Sequence, residues 1–200
     1  VALMGQALAE LLRSGPEQCR DALRVTLHLV EKSLQRIHRG QKNAMYTTQR
    51  SIENKVGSAT GWKELLMSVG FRFEPAGNGI PSSVFFPQSD PEERLTRCSA
   101  SLQALLGLGQ ASLHALVRLL QAPEVAEDVI TAMRKASSTT EGQEVSLPVR
   151  VWRASGSHEL FASLGMDLME VGQAEVTLRA GKQVSRRAVQ FALQALLALF

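Results

Sequence analysis

The chain has 200 residues, of which 44% belong to the hydrophobic set and 20% are charged. This balance is typical of a folded globular protein of one large domain or two smaller units, and it excludes intrinsic disorder and a collagen-like structure. The 22 Lys and Arg residues only slightly outnumber the 19 Asp and Glu residues, which argues against a dedicated nucleic-acid-binding domain.

The first half of the chain is predicted to contain helices, a β-hairpin and a closing helix. Apolar residues recur at three- and four-residue steps in the helices and alternate in the strands. In chain order the predictions are a helix over 2–13, a helix from Pro16 to about Arg39, a strand between Asn43 and Lys55, a short helix from Trp62 to Val69 with Thr60 as its N-cap, strands over 71–74 and 84–86, and a helix that begins at 90–93. In the segment from Asn43 to Lys55, residues 45–48 favour a strand, whereas residues 51–55 would also suit a helix.

The second half is predicted to repeat the order strand, short helix, hairpin and helix. These elements span 145–152, 157–164, 166–171 with 175–179, and 185–199. The polar stretch from Lys135 to Gln143 is predicted to be a mobile surface loop. Gly70 and Gly165 each end a short helix immediately before a strand, so both are expected to have positive φ.

An internal repeat explains why the two halves look alike. Residues 61–74 share their Gly, Glu-Leu, Ser, Gly and acidic positions with residues 156–170, at an offset of 95 where the match starts. The segment from Leu102 to Leu108 returns as Leu193 to Leu199, at an offset of 91. The second copy therefore lacks about four residues, which we expect to fall in a loop.

The duplication predicts the fold. The sequence indicates an α+β fold built from a tandem pair of helix–hairpin–helix units, the first over residues 1–108 and the second over residues 109–200. Because a lone hairpin is marginally stable in water, helices must cover the antiparallel strand pairs. We expect one compact domain with pseudo-twofold symmetry, in which the strands form a single mixed sheet.

The sequence contains no strong catalytic or metal-binding motif. Gly77-Asn-Gly79 follows a strand, but Ser82 stands where a dinucleotide-binding loop has its third glycine and a strand follows, so a hairpin turn is predicted. The histidines have no Cys or carboxylate at metal-ligand spacing. We expect no cofactor and no metal.

Two pairs of side chains remain open as candidates for a nucleophile and its base. They are Ser157 with His158 and Cys98 with His114, because such pairs are defined by geometry and not by sequence order. Cys98 is also explained as a small apolar residue in a helix. Cys19 and Cys98 are far apart in the sequence and form no dithiol motif, which favours a reducing compartment.

Two basic clusters are the candidate partner-binding residues. They are Lys32, Arg36 and Arg39, with Lys42 beside them, and Lys182, Arg186 and Arg187 at the start of the last helix. A solvated face is the usual explanation of such clusters. Positive charge in the first turn of a helix opposes its dipole, however, so Arg186 and Arg187 are expected to gain nothing locally and to meet either an acidic partner or the carboxylates of another element. The last helix is also more apolar than one buried stripe requires, which predicts an apolar surface near it and the second hairpin. Core packing of a centrally placed helix would explain the same composition.

Several segments carry a family likeness. They are Leu29–Ile37, Gln41–Gln49, Glu53–Gly57, Gly61-Trp62, Val84–Pro87 with Ser89–Pro91, Glu170–Gln173, and Gly181–Gln183 with Arg186-Arg187. These segments resemble the region that follows the caspase-like CHAT domain in large tetratricopeptide-repeat proteins, over most of the chain. The resemblance implies a non-enzymatic accessory domain of a scaffold protein linked to mitosis and cytokinesis, located in the cytoplasm with the spindle or midbody. The His/Cys dyad of a CHAT domain would lie upstream, so none of its chemistry is carried over to residues here.

Two hypotheses about function follow. The first is a protein-interaction domain that binds protein partners or a second copy of itself, without nucleic acid and without membrane insertion. The alternative is a fragment of an enzyme or pseudo-enzyme, related to the CHAT proteases, whose site is completed by further chain. A deep pocket holding Cys98 or His158 would favour the second, and shallow surfaces with an exposed apolar groove would favour the first. The chain begins at Val1 without Met, so we expect it to be part of a larger protein.

Overall fold

The computed structural model describes residues 2–200 and confirms the predicted α+β class. The chain divides into two compact units, the first ending at Leu106 and the second running from Gly107 to Phe200. Each unit contains several helices and one three-stranded antiparallel sheet. That one unit is a copy of the other, and that they are related by a pseudo-twofold axis, stay predictions.

The first unit begins with two helices and ends with a third, and its strands lie between them. Its elements are α1 (Ala2–Arg13), α2 (Cys19–His38), β1 (Tyr46–Thr48), α3 (Gln49–Val56), α4 (Trp62–Ser68), β2 (Arg72–Glu74), β3 (Ser83–Phe85), a 3₁₀ turn (Pro91–Glu93) and α5 (Arg94–Gly107), whose last residue crosses the boundary. Helices α1 and α4 pack together, and leucines of α1, α2, α4 and α5 are fully buried. These leucines form the apolar core of the unit.

The second unit has its helices and strands in the same order as the first, but its 3₁₀ turn lies between the first two helices. They are α6 (Gln110–Leu119), a 3₁₀ turn (Pro123–Val125), α7 (Ala126–Ser138), β4 (Glu144–Pro148), α8 (Val149–Trp152), α9 (Ser157–Ser163), β5 (Met166–Val171), β6 (Glu175–Ala180) and α10 (Arg186–Leu199). Helix α6 packs on α9, and α7 packs on α10. Phe161 of α9 is among the largest fully buried side chains of the chain and fills the centre of this unit.

The strands form two sheets and not one. The order is β1-β3-β2 in the first unit and β4-β6-β5 in the second, and every pairing is antiparallel. The prediction of a single mixed sheet is therefore wrong. Strands β3 and β6 are the central strands, and each has neighbours from its own unit on both sides.

Glycines set the two ends of the short helices. Gly61 precedes α4 and Gly156 precedes α9, each in the left-handed region, with φ of 101° and 91°. Gly70 and Gly165 follow these helices with φ of 110° and 90°, which confirms the predicted positive values. The prediction that Thr60 caps α4 is wrong, because its hydroxyl donates instead to the Glu10 carboxylate of α1 at 3.1 Å.

Three segments differ from the predicted elements. Between Asn43 and Lys55 the strand covers only 46–48, because the Thr48 hydroxyl accepts the Ser51 N–H at 3.3 Å and starts α3 there. After β4 the chain turns into a helix over 149–152, although its valines favour a strand. The predicted loop after Lys135 begins later than expected, since α7 continues to Ser138.

The hairpin of the first unit closes as its sequence predicts. The N–H of Gly77 donates to the carbonyl of Ile80 at 3.0 Å, and the reverse hydrogen bond is 2.9 Å long. Asn78 and Gly79 between them have φ of 52° and 78°. Positive φ at both central residues is the pattern of a type I′ turn, so the segment from Gly77 to Ile80 is a hairpin turn.

Residues 2–200 contain no single helix with both the length and the hydropathy of a membrane span. One consecutive pair, Pro91–Gly107 with Gln110–Leu119, passes the same test of length and composition when its two helices are taken together.

Candidate functional site

A basic cleft on the first unit combines positive charge with an apolar floor. It has a volume of about 350 Å³ and lies among α2, α3 and the segment around β1. Leu29, Ile52 and Phe86 contribute buried apolar atoms to its lining. Tyr46 at its margin is exposed and stacks on Phe85 with ring centroids 5.1 Å apart.

The rim of this basic cleft is positively charged. Arg24, His28 and Lys32 follow one another at four-residue steps, which places them on one face of α2, and Lys55 of α3 lines the same cleft. Arg24 has only an exposed ion pair with Asp21, at 3.7 Å. Lys32 and Lys55 take part in none of the ion pairs found in the described chain. The rim therefore has cationic groups available for a ligand.

The structure separates the first predicted basic cluster. Lys32 lines the basic cleft, but Arg36 and Arg39 do not. The Arg36 guanidinium donates to the carbonyl of Asn43 and so holds the chain that leaves α2. Arg39 is the exposed C-cap residue of α2. A cation at the C-terminus of a helix is favoured by the helix dipole, which gives Arg39 a local structural role.

The second predicted cluster surrounds the start of α10. Lys182 is exposed in the turn before this helix. Arg186 donates to the carbonyl of Thr139, the C-cap residue of α7, at 3.0 Å. The Arg187 guanidinium lies 5.3 Å from the ring centroid of Phe191. The premise that these two arginines gain nothing locally is therefore wrong, because each has a favourable partner within its own unit.

Sequence reasoning missed three rim residues of the basic cleft. Arg24 and His28 precede Lys32 by eight and four residues, so extending the helical step backwards along α2 would have found both. No comparable spacing in the sequence links Lys55 to these residues. It joins the cleft only because the chain after β1 folds as α3 and packs on α2.

A second groove of the first unit is larger and more apolar. It lies between α1 and α4, has a volume of about 550 Å³ and exposes Leu3 and Met67. Its lining includes Glu10 and Glu64 and no basic side chain. The Glu10 carboxylate is already paired with Arg13 at 3.7 Å and accepts the Thr60 hydroxyl at 3.1 Å. We therefore base the functional argument on the basic cleft.

The candidate nucleophiles are poorly placed for catalysis. Burial raises the pKa of the Cys98 thiol to about 12, which keeps it protonated at neutral pH. Burial also raises the pKa of Cys19. The Ser157 Oγ is buried without a hydrogen-bond partner, and the His158 Nε2 lies 3.0 Å from the Glu159 carboxylate instead. His158 therefore does not serve as a base for Ser157 in this arrangement.

Within the part of the chain that the structure describes, no three His, Cys, Asp or Glu side chains converge as a set of metal ligands.

Two comparisons with known proteins connect the chain to one protein type. Residues 108–200 match the family model described as the TTC28 C-terminal domain, so the match begins one residue after the start of the second unit. Tetratricopeptide repeat protein 28 of Mus musculus is 53% identical over the whole of this chain, and that of Homo sapiens is 50% identical. No solved structure matches the chain.

The similarity extends over both units but over a small part of the relatives. The chain spans 9% of the length of each of the two tetratricopeptide-repeat proteins. Because these two alignments cover the whole chain, they include the first unit as well as the second. The chain is thus similar over its full length to a segment of tetratricopeptide repeat protein 28, and its second unit matches the C-terminal domain of that protein type.

Proposed function

We propose that this chain is a non-catalytic protein-interaction domain of a larger scaffold protein, and that the basic cleft of its first unit binds an acidic segment of a partner. The observation that carries the proposal is the rim of Arg24, Lys32 and Lys55 around a floor of buried apolar side chains. An apolar floor supplies affinity through burial, while the charged rim selects the partner and speeds the encounter.

The shape of the basic cleft favours one kind of segment. Helices α2 and α3 both present cleft-lining residues at helical spacing, at Arg24, His28 and Lys32 and at Ser51 and Lys55. An amphipathic segment with apolar residues on one side and Glu or Asp on the flanks would meet the floor and the rim together. Each exposed ion pair contributes only about 0.2–1 kcal/mol, so the floor has to supply most of the affinity.

The wider setting of the proposal rests on the likeness to tetratricopeptide-repeat proteins. We place the domain after a CHAT domain in such a protein, in the cytoplasm, with a role in mitosis and cytokinesis at the spindle or midbody. The identity over the full chain and the match of the second unit support only that the chain is similar to part of a larger tetratricopeptide-repeat protein. The CHAT domain, the location and the role in cell division are proposed from the resemblance of the sequence segments. Partners are other proteins or a second copy of the chain.

A binding experiment on the whole chain tests the basic cleft. The probe is a fluorescent 14-residue peptide with Leu at helical spacing and Glu elsewhere, compared with the same peptide carrying Lys for Glu. We expect the Glu peptide to bind, and Lys55→Glu to weaken it several-fold at low salt, because screening is then least. Arg50→Glu is the matched control, since Arg50 is exposed on the same helix but does not line the cleft. Equal effects of the two substitutions, or equal binding of both peptides, would contradict the proposal that the basic cleft binds an acidic segment.

A further inference from the structure

The edge strand β5 of the second unit exposes an unusual amount of apolar surface. Leu168, Met169 and Val171 are 50%, 44% and 53% exposed. Strand β5 pairs with β6 on one side only, because the order of the sheet is β4-β6-β5. The other side of β5 therefore has no neighbouring strand in the described chain. An edge that is both unpaired and apolar is a template for another strand.

The register between β5 and β6 shows that part of this exposed apolar surface lies on the same sheet face as buried residues of β6. Leu168 lies opposite Leu178 and Val171 lies opposite Val176, and both of these β6 residues are completely buried. Residues opposite each other in a sheet share a face, so Leu168 and Val171 extend the buried face of β6 beyond its cover. A β-bulge falls between Leu168 and Glu170, which leaves Met169 without a partner in the ladder.

In the first unit an aromatic ring covers the strand position that matches Leu168, and in the second unit no such ring is present at the matching position. In the first unit Phe73 of β2 lies opposite buried Val84, and the Trp62 ring covers it with centroids 6.0 Å apart. At the offset of 95 that relates the two repeats, Ser157 stands in the place of Trp62 and Leu168 in the place of Phe73. The serine is too small to reach over the strand. The cover that Trp62 gives in one unit is absent from the other.

The charges along β5 indicate what an added strand must carry. Asp167 and Glu170 are exposed, and neither takes part in an ion pair found in the described chain. The cation opposite Asp167 is Arg179, which is paired with Glu144 at 3.3 Å. The apolar strip is thus flanked by two carboxylates without cationic partners, which complement Lys or Arg on an incoming segment.

We propose that β5 accepts an extended segment of a partner protein as a fourth strand, and that this segment alternates apolar residues with Lys or Arg. The proposal rests on the proposed function as an interaction domain and adds a second site with the opposite charge preference. Main-chain hydrogen bonds to the free edge give affinity, the apolar side chains cover Leu168 and Val171, and the cations meet Asp167 and Glu170.

The charges also argue against a second copy of β5 as the occupant. In an antiparallel pair of two β5 strands centred on Leu168 and Met169, Asp167 of one strand lies opposite Glu170 of the other. Like charges directly opposite each other destabilise a sheet, and charged residues on an edge strand are a common device against self-association. A basic partner strand removes this conflict.

The test measures peptide binding to the whole chain at low salt. The probe is a fluorescent peptide of four Lys-Val repeats, compared with four Glu-Val repeats and with a Lys-Val peptide N-methylated at alternate residues. We expect only the unmethylated Lys-Val peptide to bind, because N-methylation removes ladder donors. The double substitution Asp167→Asn with Glu170→Gln should weaken binding several-fold, because it removes two exposed ion pairs. The double substitution Glu124→Gln with Glu127→Gln removes the same charge from exposed positions elsewhere in the unit and should leave binding unchanged.

Three outcomes would overturn the proposal. They are equal binding of the methylated peptide, equal loss in both double variants, and no binding of the Lys-Val peptide. Leu168→Thr keeps a good strand former and should weaken binding several-fold, so an unchanged affinity would show that the apolar strip takes no part. Binding of the Glu-rich helical peptide to the basic cleft separates the two proposals. If that peptide binds and the Lys-Val peptide does not, only the strand-addition site fails, whereas failure of both removes the proposed function as well.

Discussion

Replacing Gly156 by Ala should distinguish close helix packing from backbone strain. Gly156 begins α9 with φ of 91°, and an added Cβ would lie 2.4 Å from the Ala115 carbonyl oxygen and 2.6 Å from the Leu119 nitrogen. Both atoms belong to the backbone of α6, so no side chain can rotate away. The substitution has to push α6 and α9 apart.

The expected loss has two parts. The left-handed backbone costs any residue with a Cβ about 1–2 kcal/mol. Separating two packed helices adds about 1–3 kcal/mol, as overpacking in a core usually does. Gly142→Ala is the matched control, because Gly142 has φ of 87° and nothing lies within 4 Å of its added Cβ. We therefore expect Gly142→Ala to lose only the first part.

Urea titration followed by tryptophan fluorescence measures the difference. The chain has one tryptophan in each unit, Trp62 and Trp152, so a Trp62→Phe background reports on the second unit through Trp152. The free energy of unfolding should fall by about 2–5 kcal/mol for Gly156→Ala and by about 1–2 kcal/mol for Gly142→Ala. Equal losses for the two variants would refute the argument from helix packing.

Three further predictions concern stability. The pKa of the Cys98 thiol is about 9 in the unfolded chain and about 12 in the folded chain. The free energy of unfolding should therefore not depend on this group below pH 9, and above pH 9 it should fall by at most about 1.4 kcal/mol per pH unit. Urea titrations from pH 8 to pH 11 should show a smaller fall for Cys98→Ala than for the unsubstituted chain, and parallel curves would contradict this. Ser185 accepts the Ala188 N–H at 3.2 Å as the N-cap of α10, and Ser185→Ala should cost about 1 kcal/mol in thermal denaturation, with an unchanged Tm as the contrary result. Gly165→Ala places a Cβ 3.0 Å from the Val184 backbone at positive φ and should lower the Tm, whereas an unaltered Tm would show that the turn adapts.

The elements that sequence reasoning found correctly are those with a strong local period or strong turn chemistry. Helix α1 has the predicted bounds because one buried stripe dominates its segment. Strand β5 has the predicted residues because Gly165 and Gly172 stand immediately before and after it. The turn of Gly77 to Ile80 was predictable from its glycines. Where β-propensity pointed to a longer strand, as over 149–152, burial of Val149 and Val151 in a helical turn decided the structure instead.

The candidate site was only partly predictable, for a physical reason. Lys32 was found because helical spacing marks a basic face, and the same spacing holds Arg24 and His28. Lys55 belongs to another element, and only tertiary packing brings it to the cleft. Arg186 was expected to gain nothing locally because the helix-dipole argument considers one helix alone, whereas its partner, the Thr139 carbonyl, ends a different helix. Rules that consider one helix at a time therefore find the cleft residues of that helix, but not the residues that other elements contribute.

The closure of each sheet within its own unit has a consequence for synthesis of the chain. Strands β1, β2 and β3 are all present once residue 85 has been added, and no strand of the second unit takes part in their sheet. At a usual rate of about 5–20 residues per second, the second unit needs roughly 5–20 s more to be translated. During this interval the sheet of the first unit can form without meeting competing strands from its sister sequence. We expect the order of translation to separate two similar sequences in time, which protects them from exchanging strands with each other.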